Sequence, residues 1–173
     1  MTTTPTPNRV LAGKKALVVG VANEYSIAWG CAKAFHELGA DVALTYLNEK
    51  ARRFVEPLAQ SIDAPILAPL DVEQPGQMEA LFERLLREWG RLDIAVHSIA
   101  WAPKDDLQGG LLDCSAAGFA RAMDVSCHSF IRLARAAAPL MTDGGSLFAM
   151  SYHGAQKVVD NYNVMGPVKA ALE

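Results

Sequence analysis

Five short apolar runs recur along this chain, most of them followed by a segment of helical period, and this alternation limits the possible architectures more than any other feature. Residues 15–20 (Lys-Ala-Leu-Val-Val-Gly), 41–46, 65–70, 92–98 and 145–151 are expected to be strands, being apolar and too short for helices. Between the first two, residues 26–38 repeat apolar side chains at Ile27, Cys31, Ala34, Phe35 and Leu38, and Gly39 supplies a stop. Residues 49–61 and 76–89 are expected to be the next two helices. A loop at 100–113 then precedes an apolar helix over 115–141. Strands alternating with helices pair in parallel through right-handed crossovers, so the expected fold is α/β, a doubly wound parallel sheet of the Rossmann-like kind. Residues 1–10, rich in Thr and Pro, read as a flexible tail, and 11–173 as one domain.

Charge and cysteine usage exclude several classes of function. The formal net charge is −3, with Lys and Arg scattered among Asp and Glu, so there is no basic field to attract nucleic acid. The later apolar runs are broken by Arg132, Arg135 and Pro139, and the start of the chain has no apolar core, so no membrane span is expected. A soluble cytoplasmic protein is the expectation. Cys31, Cys114 and Cys127 are odd in number and lack a paired spacing, which reads as buried thiols rather than disulfides or a zinc site. His36, His97, His128 and His153 have no metal-ligand spacing, and no metal site is expected.

A doubly wound sheet binds its ligand at the carboxyl ends of its strands, where the strand order reverses. The loop after the first strand begins at Gly20, which lets the backbone turn, while Ser26 can cap the next helix or donate to a phosphate. Its glycines, Gly20 and Gly30, lie ten apart, so this is not the usual dinucleotide fingerprint; Gly30 is expected to allow close helix–strand packing. After the second strand, Tyr46, Leu47 and Asn48 supply neither an acid for ribose hydroxyls nor an Arg for an extra phosphate. Glu49 is the nearest acid, and Lys50, Arg52 and Arg53 read as a solvated face, which favours the unphosphorylated cofactor. Asp71 can accept from an adenine amino group with Val72 against the ring, and Ser98, Ile99 and Ala100 stand where a second ribose would pass. Ser151 and Tyr152 close the fifth strand facing the same crevice as Tyr162. Tyr162 and Lys169 are seven apart, about 700° of helical rotation, so on one helix they would share a face two turns apart. A phenol there can donate to a developing oxyanion, and a nearby ammonium would lower its pKa from ~10.

These residues resemble a known family. Gly20-Val-Ala-Asn followed by Ser26-Ile27-Ala28, then His97-Ser98-Ile99-Ala100, then Ser151-Tyr152 and Tyr162-Asn-Val-Met-Gly-x-x-Lys169 are similar to the NADH-dependent enoyl-acyl-carrier-protein reductases. That family is a divergent branch of the short-chain dehydrogenase/reductases and serves bacterial type II fatty acid synthesis. The resemblance runs from about Leu11 to Glu173. Ordinary superfamily members place Tyr and Lys four apart, and the six intervening residues here are particular to the enoyl reductases. The resemblance implies reduction of the 2,3 double bond of an enoyl thioester on acyl carrier protein by NADH, in a cytoplasmic homotetramer. It implies that Tyr162 hydrogen-bonds the thioester carbonyl, that Lys169 holds the nicotinamide ribose, and that Tyr152 is the second active-site tyrosine. Gly20, Ser26, Ile27, Leu47, Asp71, Val72 and Ile99 fall on its cofactor contacts and Ala102 on its substrate contact.

Three departures from the family pattern stand out. Leu47 replaces a polar residue near the adenosine, and Pro167 is expected to distort the first turn of the Tyr162 helix by removing a donor and crowding the carbonyl of Asn163. Family members also continue past the position of Glu173, so the resemblance reads this chain as C-terminally truncated, with five of the family's seven strands. Two other readings stay open: a carbonyl reductase of the same superfamily, disfavoured by the Tyr–Lys spacing, and a non-catalytic remnant that binds a nucleotide or nothing.

Overall fold

The strand order places the sheet's reversal beside its first strand. In the computed structural model, which describes residues 9–108 and 110–173, β1 (Lys15–Val19) is central. On one side lie β2 (Asp41–Tyr46) and then β3 (Ile66–Pro69); on the other lie β4 (Ile94–His97) and then β5 (Ser146–Ala149). Every pairing is parallel, giving the order β3-β2-β1-β4-β5. The chain thus builds outward from β1 to β3 and crosses back to β4, and the crevice between the ends of β1 and β4 is the switch point.

The two-residue period of the strands divides the core. Leu17 and Val19 of β1, Ala43 of β2 and Ala95 of β4 face α3 (Gln77–Trp89) and α6 (Ser129–Ala137), meeting Leu81, Phe82, Leu85 and Leu133. Ala16 and Val18 with Val42, Leu44 and Val96 face α1 (Ile27–Glu37) and α2 (Glu49–Ser61), meeting Ala28, Ala32, Val55 and Ala59. Helices on both faces are what an all-parallel sheet requires, which is why β1 can be a nearly unbroken apolar run.

Four local expectations need correction. The 100–113 loop contains a short helix, α4 (Lys104–Gln108). The helix expected over 115–141 is interrupted: α5 (Ala116–Met123), capped by Ser115, passes through a π-helical turn at Asp124–His128 into α6, and a 3-10 turn containing Pro139 ends it. Gly30 is exposed with open space where a Cβ would stand, so it packs against no strand. The three cysteines are free but partly rather than fully buried. Of the expected tail, residues 1–8 lie outside the described residues.

Candidate active site

Tyr162 is not on a helix with Lys169, because α7 (Met165–Leu172) begins three residues after it. Pro167 has no N–H for the carbonyl of Asn163, which accepts instead from Gly166 in a tighter turn. Asn161 and Asn163 take positive φ values of 61° and 28°, so Tyr162 projects from an irregular turn. Asn163 fastens that turn by donating from Nδ2 to the Leu107 carbonyl of α4 at 2.7 Å.

Two clefts nevertheless meet along the carboxyl edge of the sheet. The first, about 460 Å3, runs from Gly20 past Thr45 and Leu47 to Asp71 and Val72, with Trp101 and Arg121 across from them. The second, about 410 Å3, is lined by Ile27, Ser151, Tyr152, Tyr162 and Lys169. Ser98, Ile99 and Ala100 line both, so β4's end is their shared wall. Tyr162 and Lys169 therefore do face one cavity, though through a turn rather than a helical stripe.

Gly20 makes the junction possible. It has φ +100°, and a Cβ there would stand 2.2 Å from the Ser98 carbonyl oxygen. Only glycine brings the first loop this close to β4. Its N–H points to Thr45 Oγ1 at 3.4 Å. Ser26 precedes α1 but does not cap it with its side chain; its hydroxyl donates to the Asn23 carbonyl at 2.6 Å and tightens the loop. The first N–H groups of α1 have no preceding turn to bond, which leaves the helix start disposed towards an anion. Asp71 is held by its own turn, Oδ1 accepting from the Glu73 N–H at 3.0 Å. Ala102 lines neither cleft and instead packs, partly buried, against the cluster of Ala122, Val164, Met165 and Val168.

Lys169 is almost wholly buried and donates from Nζ to the Met150 carbonyl at 2.5 Å, at the very end of β5. Desolvation lowers its pKa, with the Cys127 sulfur working the other way. Tyr162 packs against Tyr152 with ring centroids 4.7 Å apart, and Tyr152 is half exposed. The expected lowering of the Tyr162 pKa by Lys169 does not occur: burial raises it, and Tyr152 adds to the rise. The result is a phenol that keeps its proton at neutral pH and can donate it in a hydrogen bond.

Several contacts around the clefts carried no sequence signal. Arg121 grips Glu73 through Nε and Nη2 at 2.6 and 2.8 Å and lies over the Trp101 ring at 4.1 Å, closing the far rim of the first cleft. Ser126, in the π turn, both accepts from the Trp101 N–H and donates to its carbonyl, at 2.8 and 2.9 Å, and so fixes the chain leaving β4. His97 is fully buried beneath the shared wall, paired through Nε2 with Ser129 at 2.6 Å. These contacts join residues far apart in sequence, so no local spacing announces them.

Comparison with known proteins agrees with this geometry. Residues 20–173 match the sequence model for enoyl-(acyl carrier protein) reductase. An enoyl-[acyl-carrier-protein] reductase [NADH] of Rhizobium meliloti is 46% identical over 164 residues, covering 95% of this chain and 60% of the relative. Among solved structures, the enoyl-(acyl-carrier-protein) reductase of Anaplasma phagocytophilum in complex with NAD superposes with a TM-score of 0.90 at 48% identity, over 94% of this chain and 62% of that one. The Bacillus cereus enoyl-acyl carrier protein reductase with NADP+ and an indole naphthyridinone gives 0.91 at 41% identity, over 94% and 64%. This chain spans about 60% of the length of the relatives it matches. A five-stranded parallel sheet that superposes this closely, with the sequence model matched over residues 20–173 and relatives at this identity, places the chain in the enoyl-(acyl carrier protein) reductase family.

Proposed function

We propose that the full-length protein carrying this sequence reduces the 2,3 double bond of an enoyl thioester borne on acyl carrier protein, with NADH as reductant. The observation that carries this reading is that Tyr162 and Lys169 line a cleft continuous, through Ser98, Ile99 and Ala100, with the one that runs from Gly20 to Asp71. Two clefts that meet beside a glycine-seated helix start suit an elongated molecule with an anionic middle, as a dinucleotide is. Gly20, Ser26, Ile27, Leu47, Asp71, Val72, Ser98 and Ile99 would hold it, with Lys169 at the nicotinamide ribose. When bound, NADH supplies a hydride to the β-carbon of the enoyl thioester.

The chain's own residues then deal with the charge this creates. Tyr162 donates its phenolic hydrogen bond to the thioester carbonyl oxygen, which gains negative charge as the β-carbon is reduced. Its raised pKa keeps it protonated for that role. Tyr152 packs against it at a tilt and limits its freedom to turn away. The buried Lys169 ammonium, held by the Met150 carbonyl, adds a fixed positive charge to the same wall. Protonation at the α-carbon completes the reduction. Ala102 reaches the acyl group only if the chain after β4 shifts, since it lines neither cleft. The same reading implies a cytoplasmic enzyme that assembles as a homotetramer.

Tyr162→Phe tests the assignment. It keeps the ring packing and deletes the donor, so kcat on an enoyl thioester should fall by about 10²- to 10³-fold while the NADH dissociation constant changes little. Turnover equal to the unmodified protein would remove Tyr162 from the reaction.

A further inference from the structure

We propose that Gly154 is a positioning residue for Tyr162, its missing side chain being the space into which the Tyr162 ring settles. This rests on the reading of Tyr162 as the oxyanion donor. The 3-10 turn His153–Ala155 follows Tyr152 directly, and Gly154 at its centre is buried. A Cβ built on Gly154 would lie 2.4 Å from Cδ1 and 2.7 Å from Cε1 of Tyr162, and 3.2 Å from Cδ1 of Tyr152. Contacts below 3 Å cannot be absorbed by small adjustments, so one methyl group must displace the Tyr162 ring.

Nothing else about the position demands glycine. Gly154 is not among the glycines with positive φ, so alanine is acceptable to the backbone there. The constraint comes from the tyrosines alone. A second glycine completes the seat: a Cβ on Gly166, in the first turn of α7, would come 3.1 Å from the Gly154 carbonyl oxygen, so the helix that carries Lys169 packs directly on this turn. Gly154 therefore stands between the phenol and the helix bearing the ammonium. Tyr162 itself starts from an irregular turn with positive φ on both sides, which does little to fix its ring. The ring's place is set by what it packs on, namely Tyr152 and the bare face of Gly154.

The test is Gly154→Ala in the full-length protein, read first by NMR with ring-labelled tyrosine and with Tyr162→Phe used to assign the signal. The resonance that disappears in Tyr162→Phe is that of Tyr162. In Gly154→Ala the Tyr162 signal should shift and its titration midpoint should move down towards that of an exposed phenol, while NADH affinity stays within about twofold. On enoyl thioester, kcat should fall at least tenfold, and Gly154→Ala should cost nothing further once Tyr162 is already Phe and the donor is gone. An unchanged Tyr162 signal and titration in Gly154→Ala would overturn the proposal. If the unmodified protein reduced no enoyl thioester but the signal moved as expected, the functional reading would fail and the positioning role would stand. If Gly154→Ala did not fold, adding Tyr162→Ala should restore a cooperative melt by clearing the ring. A double variant that stayed unfolded would place the conflict elsewhere and refute the role.

Discussion

His97 is a buried imidazole at the end of a central strand. It closes β4 within the His-Ser-Ile-Ala motif, and its spacing to the other histidines is not that of a set of metal ligands. In the fold it is fully buried, its ring lying edge-on to Phe130 with centroids 5.6 Å apart. Ser129 donates its hydroxyl to the Val125 carbonyl, so its oxygen is free to accept from Nε2 of a neutral imidazole. Desolvation, with the Lys169 charge second, pushes the His97 pKa down to about 4. The unfolded chain, with a pKa near 6.5, binds the proton first as pH falls, so stability is complete above about 6.5 and declines towards pH 4. At pH 4.5 this amounts to roughly 2 kcal/mol relative to pH 7. Denaturant unfolding of the unmodified protein and His97→Gln at both pH values should show that difference as an extra loss in the unmodified protein. Asp93, Asp124 and Glu73, whose pKa values are lowered, also lose stability on acidification, but equally in both proteins. Equal acid losses in the two would show that His97 does not carry its charge penalty.

At the scale of elements, strands and crossover helices were legible because each is specified by its own stretch of sequence. Apolar runs of four to six residues are short for helices and read as strands, and Gly39 and Gly90 mark helix ends through the left-handed backbone they permit. The start of α7 was not legible from the Tyr162–Lys169 spacing, because Pro167 and two asparagines at positive φ override helical periodicity there. The interruption of the long helix was hidden for another reason: Ser126 bonds to the backbone of Trp101, twenty-five residues away. Cofactor choice lies at this scale too, since it depends on the ends of β2, β3 and α5 together. Leu47 is exposed at the mouth of the first cleft, and Arg52 is engaged by Glu49 and Glu56. The cation that does line the cleft, Arg121, is neutralised by Glu73. No free positive charge therefore awaits a 2′-phosphate among the described residues of that wall, and NADH should bind the full-length protein more tightly than NADPH. Glu73→Gln should narrow the gap by releasing Arg121, in paired titrations of the two cofactors. Equal affinities in the unmodified protein would refute the charge argument.

On the scale of the whole molecule, burial is uneven across the sheet. Ala16, Leu17, Val18 and Val19 of β1 are wholly inaccessible, whereas Leu147 and Phe148 of β5 are 38% and 45% exposed on opposite faces of their strand. Among the described residues β5 pairs only with β4, which leaves one row of its backbone N–H and C=O groups unpaired there. Ile131 of α6 is also 58% exposed. A parallel strand is stable when covered on both faces, and an open apolar edge is a template for another copy. The 173-residue polypeptide expressed by itself should therefore self-associate, its sedimentation coefficient rising with concentration. Phe148→Lys should shift it towards the monomer with the sheet's circular dichroism retained, because a lysine at an edge repels a second edge. The crevice at β1 and β4 lies one strand inward, so that variant should bind NADH as tightly as the unmodified polypeptide. A polypeptide that sedimented as a monomer throughout the concentration series would show that the β5 edge needs no cover.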